Sequence, residues 1–89
     1  MSRFDPARRM KIEVLRVGGG SMLLEGVKSL QVKLEDGSWL GIHPGHARLI
    51  AATADGELRF HREAEEERVS VSEGILTVDH DRITILTTH

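Results

Sequence analysis

Apolar and polar residues alternate one by one along most of this chain, and this period of two constrains its fold more than any other feature. In the clearest run, Leu30, Val32 and Leu34 are separated by single polar residues. Because successive side chains of a β-strand point to opposite faces, this period predicts strands with one buried face. The same period recurs within residues 12–16, 58–61, 69–72 and 83–86. The sequence therefore predicts short, half-buried strands rather than helices.

Turn-forming residues separate these runs. They lie at residues 18–21, 36–37, 44–45, 55–56 and 79–81. Short strands at such regular spacing, without amphipathic helices between them, are typical of an all-β sandwich or barrel. Residues 47–53 are too few for their period to decide between helix and strand, but a strand is predicted because the turn at residues 55–56 follows.

The composition fits one small domain and excludes several classes of function. The chain has 89 residues, a formal net charge of −2 and no cysteine. This length predicts a single domain, expected at residues 10–89 after a disordered lead-in at residues 1–9. The charge argues against non-specific DNA binding, and the lack of cysteine excludes disulfides and thiolate metal sites. No apolar run approaches the roughly 18 residues of a membrane-spanning helix.

Four glutamates crowd one connection between predicted strands. They are Glu63, Glu65, Glu66 and Glu67, and an arginine flanks them on each side. The pattern predicts the solvated tip of a hairpin. A charged contact with a partner is the alternative interpretation.

Five histidines invite a metal-site hypothesis. His43 and His46 are three positions apart, and an odd offset places two side chains on opposite faces of a regular strand. The turn between them can still bring the rings together, with His61 or His80 and a carboxylate completing the shell. A small metal-binding jelly-roll protein is therefore the alternative hypothesis. No Gly-x-Ser-x-Gly elbow is present, so no nucleophilic site is predicted.

The segment from Gly41 to Leu49 carries a recognisable motif, Gly41-Ile42-His43-Pro44-Gly45-His46-Ala47-Arg48-Leu49. Pro44 lacks a backbone donor, which suits a turn or a sheet edge, and Gly45 tolerates a positive φ. The motif resembles the signature loop in the N-terminal domain of the ATP synthase epsilon subunit. Further segments resemble the strands of that domain in order, at residues 11–15, 25–32, 56–60, 71–78 and 82–86.

This resemblance extends over nearly the whole chain and implies a flattened β-sandwich of about ten short, mostly antiparallel strands. In that family the domain is a non-catalytic part of the rotor of F-type ATP synthases. It links the gamma subunit to the membrane c-ring and so couples ion transport to ATP synthesis or hydrolysis. The resemblance implies no cofactor and no catalytic residue. It also implies a peripheral location on the cytoplasmic face of a bacterial membrane, within the complex.

The resemblance places the two partner contacts on two groups of residues. The group implied to face the c-ring comprises Glu35, Asp36, Gly37, Ser38 and Trp39. The group implied to face the gamma subunit comprises His46, Ala47 and Leu49. Trp39 has two interpretations at this level, an anchor in an interface or a partly buried core residue.

The sequence ends at His89, before the two-helix hairpin that follows the sandwich in most epsilon subunits. If this end is natural, the resemblance implies a short-form subunit without hairpin-mediated inhibition or nucleotide binding by the hairpin. Two hypotheses lie outside the family. One is the metal-binding protein built on His43 and His46, and the other is a free-standing ligand-binding domain.

Overall fold

The structure is a computed structural model that describes residues 8–88, and within this range the chain forms strands and turns without a helix. In chain order the strands are β1 (Met10–Arg16), β2 (Ser21–Val27), β3 (Ser29–Lys33), β4 (Trp39–Ile42), β5 (Leu49–Thr53), β6 (Gly56–Arg62), β7 (Glu65–Val71), β8 (Gly74–Asp79) and β9 (Arg82–Thr87). The all-β prediction is confirmed. The segment at residues 47–53 is also a strand, which begins at Leu49.

The strands form two sheets that pack face to face. The five-stranded sheet has the order β2-β1-β9-β8-β5, and the four-stranded sheet has the order β4-β3-β6-β7. Every pair is antiparallel except β1 with β9, which run parallel. Parallel partners need a long connection, and here the rest of the domain supplies it.

The core lies between the sheets and consists of the inward half of the alternating residues. Its buried apolar side chains are Met10, Ile12, Val14, Leu24, Val27, Leu30, Val32, Ile42, Leu58, Phe60, Leu76, Val78, Ile83 and Ile85. Burial of each such side chain contributes about 1.5–3 kcal/mol. The period of two in the sequence therefore identifies the inward faces correctly.

The glutamate-rich connection is shorter than the sequence suggests. Only Glu63 and Ala64 form the turn, because β7 already begins at Glu65. Glu67 receives two hydrogen bonds of 2.6 Å from Arg62 on β6. The hydrogen bond and charge of Arg62 lower the pKa of Glu67 against the opposing effect of desolvation. This pairing lets an acidic run continue as a strand.

The sandwich has two ends. One end carries Glu35, Asp55 and Glu73, and we call it the acidic end. At this end the backbone N–H of Glu35 donates to the carbonyl of Ala52 at 3.1 Å. There the N–H of Thr88 also donates to the carbonyl of Glu73 at 3.0 Å. At the other end, which we call the loop end, the β4–β5 loop meets the β8–β9 turn.

The expected lead-in at residues 1–9 is described only in part, since residues 1–7 lie outside the described residues. Arg8 contacts the domain directly, because its Nε donates to Asp81 at the loop end. Residues 8–88 contain no helix of the length and apolar character that crossing a membrane requires.

Candidate functional site

The residues that the sequence assigns to the c-ring side form the β3–β4 turn and the start of β4. Asp36 closes this turn by accepting hydrogen bonds from the Ser38 backbone N–H at 2.9 Å and from its hydroxyl at 2.6 Å. These hydrogen bonds lower the pKa of Asp36. Gly37 has a φ of +89°, which suits glycine in a tight turn. The turn therefore holds the Glu35 and Asp36 carboxylates out to solvent in a defined geometry.

Two further carboxylates from distant parts of the chain join this turn at the acidic end. Asp55 lies between β5 and β6, and Glu73 lies between β7 and β8. Together with Glu35 they line an open cleft of about 390 Å³. The sequence marks Asp55 only as part of a turn, and it places Glu73 within a segment that resembles a strand of the family. Their shared location depends on which strands end at the same side of the sandwich.

Trp39 opens β4 and lies on the outer face of the four-stranded sheet, where 46% of its surface is exposed. The guanidinium of Arg59 stacks over its ring at 4.8 Å from the ring centroid. The interpretation of Trp39 as a partly buried core residue is therefore wrong. Trp39 is an exposed aromatic side chain beside the acidic end.

The signature loop lies at the loop end, away from the β3–β4 turn. Gly45 has a φ of +83°, and the backbone N–H of His46 donates to the carbonyl of His43 at 3.1 Å to close the turn. The Nδ1 atom of His46 lies 2.7 Å from the carbonyl oxygen of Ala47. Leu49 begins β5 and packs against the core. The loop is thus a compact turn anchored by the sandwich.

Asp81 in the β8–β9 turn fastens this loop to the rest of the domain. Its Oδ1 accepts a hydrogen bond of 2.8 Å from the Gly45 N–H, and its Oδ2 pairs with Arg8. Partial burial tends to raise the pKa of Asp81, but the hydrogen bonds from Arg8 and Gly45 outweigh it and hold that pKa below its ordinary value. The sequence shows Asp81 only as a turn residue, since its partners are far away along the chain.

The histidines of the metal hypothesis do not converge. His43 is exposed and His46 is half-buried within the signature loop. The Nδ1 atom of His61 lies 3.2 Å from the Ser29 hydroxyl on the four-stranded sheet, and His80 is exposed in the β8–β9 turn. Within residues 8–88, no three His, Cys, Asp or Glu side chains are grouped to hold a metal ion.

The outer face of the five-stranded sheet exposes aliphatic side chains that the sequence reasoning missed. Exposed fractions on this surface, which we call the apolar face, are 75% for Ile50, 57% for Leu23, and 47% for both Ile75 and Leu86. The register brings Leu15 opposite Leu86, and Leu86 opposite Ile75, so a row of apolar side chains crosses three strands. A signal was present in the sequence. Consecutive apolar residues, as in residues 22–24, 49–52 and 85–86, break the alternation where both faces of a strand are apolar.

Comparison with known proteins agrees with this architecture. The β-sandwich domain family of ATP synthase delta/epsilon chains matches residues 10–89. The chain belongs to this family. An ATP synthase epsilon chain of Acidithiobacillus ferridurans is 36% identical over 77 residues, which cover 86% of this chain and 55% of that relative. Epsilon chain 1 of Thiobacillus denitrificans is 39% identical over 82 residues, which cover 90% of this chain and 57% of that relative.

Two solved structures share this fold over nearly the whole chain. A chain of the Euglena gracilis mitochondrial ATP synthase, solved as OSCP/F1/c-ring, matches with a TM-score of 0.79 at 21% identity, covering 94% of this chain and 52% of that one. A chain of the Tetrahymena thermophila mitochondrial ATP synthase central stalk/c-ring matches with a TM-score of 0.73 at 12% identity, covering 96% of this chain and 67% of that one. The chain spans about half the length of the curated epsilon relatives.

Proposed function

We propose that this chain is a non-catalytic rotor subunit of an F-type ATP synthase. It links the gamma subunit to the c-ring, and so takes part in coupling ion transport to ATP synthesis or hydrolysis. Its place is peripheral, on the cytoplasmic face of a bacterial membrane within the complex. Membership of the delta/epsilon family supports this role.

The apolar face is the observation that carries the proposal. A monomeric soluble protein rarely exposes a contiguous patch of aliphatic side chains unless the patch binds a partner. The patch adjoins the signature loop, because Ile50 directly follows Leu49 on β5. The gamma subunit therefore covers the β5 side of this face and reaches His46 and Ala47 at the loop end. Leu49 supports the contact from inside by anchoring the loop to the core.

The acidic end faces the c-ring in this proposal. Glu35, Asp36, Gly37, Ser38 and Trp39 form its rim, and Asp55 and Glu73 extend its negative charge. Carboxylates that stay hydrated at an interface rim give orientation and partner choice more than affinity. The contact with the c-ring is accordingly polar and sensitive to salt.

A single core supports both contacts. β5 begins at the loop end with Leu49 and finishes at the acidic end with Thr53, which forms a bridge to Leu34. Buried, closely packed side chains transmit strain because they have little room to yield. The sandwich therefore keeps the two partner surfaces in a constant relation while the rotor turns.

Binding to the gamma subunit of the same organism tests this function. The natural chain is expected to form a stable one-to-one complex. Ile50→Glu places a charge in the centre of the contact and is expected to weaken binding by about tenfold or more. Gln31→Glu is the matched control, because it adds the same charge on the outer face of the other sheet, and its binding is expected to stay within about twofold. Absence of a complex, or equal loss in both variants, would contradict the proposal.

A further inference from the structure

The outer face of the four-stranded sheet holds an arginine, Arg59, that has no ion-pair partner among residues 8–88. Arg59 lies on β6, a central strand, directly opposite Gln31 on β3 and Arg68 on β7. Like charges directly opposite each other destabilise a pair of strands. The two arginines therefore need compensating partners.

Within residues 8–88, Arg68 has ion-pair partners and Arg59 has none. Arg68 lies 3.9 Å from a carboxylate oxygen of Glu57 and 3.6 Å from one of Glu66. Among residues 8–88, no carboxylate lies within ion-pair distance of Arg59, whose guanidinium instead stacks on Trp39. The Nε atom of Arg59 is also enclosed without a hydrogen-bond acceptor within the described range. No incoming group can reach this enclosed atom, so a partner can approach the guanidinium only through its terminal nitrogens.

Open space adjoins the stacked pair. Gly41 is the next outward position on β4 after Trp39, and it lies opposite Gln31. A Cβ atom added at Gly41 would have no neighbour within 4 Å. The missing side chain leaves the outer surface open beside Trp39 on the same strand, and we call this opening the recess.

We propose that Arg59 and Trp39 form a docking point for a single carboxylate on an acidic segment of a partner protein. The planar guanidinium matches a carboxylate with two parallel hydrogen bonds. Stacking on the ring keeps the guanidinium in place before the partner arrives. One carboxylate supplies the counter-charge that Arg59 lacks.

The surrounding charges select this occupant over a polyanion. Glu57 and Glu66 lie on the same face beside Arg68 and reduce the basic charge that a nucleic acid or an anionic lipid surface requires. A single carboxylate placed over Gly41 meets the uncompensated guanidinium without requiring a wider basic patch. The docking point lies on the sheet opposite the apolar face and leaves the gamma contact free. Because Trp39 also belongs to the group that we assign to the c-ring, the docking point is tested on the isolated chain.

Trp39 provides the readout, because it is the only tryptophan in the chain. The 89-residue protein is titrated with the peptide Ac-Ala-Glu-Ala-amide and, in parallel, with its glutamine counterpart. The glutamate peptide is expected to change Trp39 fluorescence and to bind about tenfold more tightly than the glutamine peptide. The NMR signal of the Arg59 Nε–H is expected to shift with the same affinity. Equal binding of the two peptides would overturn the proposal.

Three variants locate the binding on this face. Arg59→Gln is expected to lose about tenfold in affinity for the glutamate peptide. Arg82→Gln removes an arginine from the outer face of the other sheet and is expected to bind like the natural chain. Gly41→Val fills the recess without a clash and is expected to weaken binding even if Arg59→Gln fails to fold. Unchanged binding in Gly41→Val would overturn the proposal, as would tighter binding of tripolyphosphate than of the glutamate peptide.

Discussion

The outer faces of the two sheets differ in chemistry although both cover the same core. The five-stranded sheet exposes leucine and isoleucine across β2, β9, β8 and β5, whereas the four-stranded sheet exposes arginine, lysine and glutamate around one tryptophan. Exposed aliphatic side chains lower solubility, so a chain that keeps them on one face has a use for that face in binding. The charged face keeps the molecule hydrated. In our proposals the apolar face binds a permanent partner, and the charged face selects a partner by charge.

The largest expected effect on stability comes from adding a side chain at a glycine, and the two sheets differ in the space they leave for it. A Cβ atom at Gly74 in the five-stranded sheet would lie 2.0 Å from the carbonyl oxygen of Leu86, whereas one at Gly41 in the four-stranded sheet would meet nothing within 4 Å. Gly74→Ala is expected to lower the free energy of unfolding by about 2–3 kcal/mol, because β8 and β9 must separate to admit the methyl group. Gly41→Ala is expected to change it by less than about 0.5 kcal/mol. Urea unfolding followed by Trp39 fluorescence measures both variants, and similar losses would show that the clash is not the cause.

The next effect tests how far the gamma contact extends across the apolar face. Ile75 on β8 lies opposite Ala52 on β5, the strand that follows the signature loop, whereas Leu23 lies on β2 at the opposite edge of the sheet. Since binding energy concentrates near the centre of an interface, Ile75→Asp is expected to weaken gamma binding by about tenfold and Leu23→Asp by less than about threefold. Isothermal titration with the gamma subunit measures both. The reverse order would move the contact to the β2 side of the face.

A smaller effect is expected where Asp81 holds the signature loop. Asp81→Asn removes the charge that pairs with Arg8 and weakens the bond from Gly45, which is expected to destabilise the chain by about 1 kcal/mol. Because the pKa of Asp81 is lowered by folding, its stabilisation is complete above the ordinary value of 3.8 and is lost as the pH falls through the lowered pKa. Urea midpoints of the natural chain and of Asp81→Asn should therefore converge at acid pH. Asp55→Asn is the control, because this exposed carboxylate makes no ion pair within residues 8–88, and an equal effect there would refute a specific role for Asp81.

The smallest effect is expected at the acidic end. Glu35→Gln removes one hydrated carboxylate from the surface that we assign to the c-ring and is expected to weaken binding to isolated c-rings by about twofold to fourfold. The difference from the natural chain is expected to shrink as salt is added, since salt screens exposed charges. Glu25→Gln, on the outer edge strand β2, serves as the control. A difference that persists in high salt would rule out the electrostatic explanation.

Sequence reasoning succeeded where the signal is local. The alternation at Leu30, Val32 and Leu34 predicted a strand, and the core contains two of these three residues as fully buried side chains. It failed for Trp39, whose two interpretations could not be separated without knowing that Arg59 lies two strands away. Sequence reasoning also placed Glu65 in a hairpin tip, whereas Glu65 is the first residue of β7. The hydrogen bond from Arg62 to Glu67 depends on the pairing of β6 with β7, which the sequence does not show.

What the sequence by itself determined is the strands whose residues alternate, the inward side of those strands, and the family that the loop motif identifies. These follow from neighbouring residues, because the direction of a side chain on a strand depends on its position within a few residues. Only the tertiary structure decided that β1 and β9 run side by side, that aliphatic residues from four strands form one apolar face, and that Asp81 meets Gly45. Those contacts depend on strand order and register, which are set by the packing of the whole core rather than by any single segment.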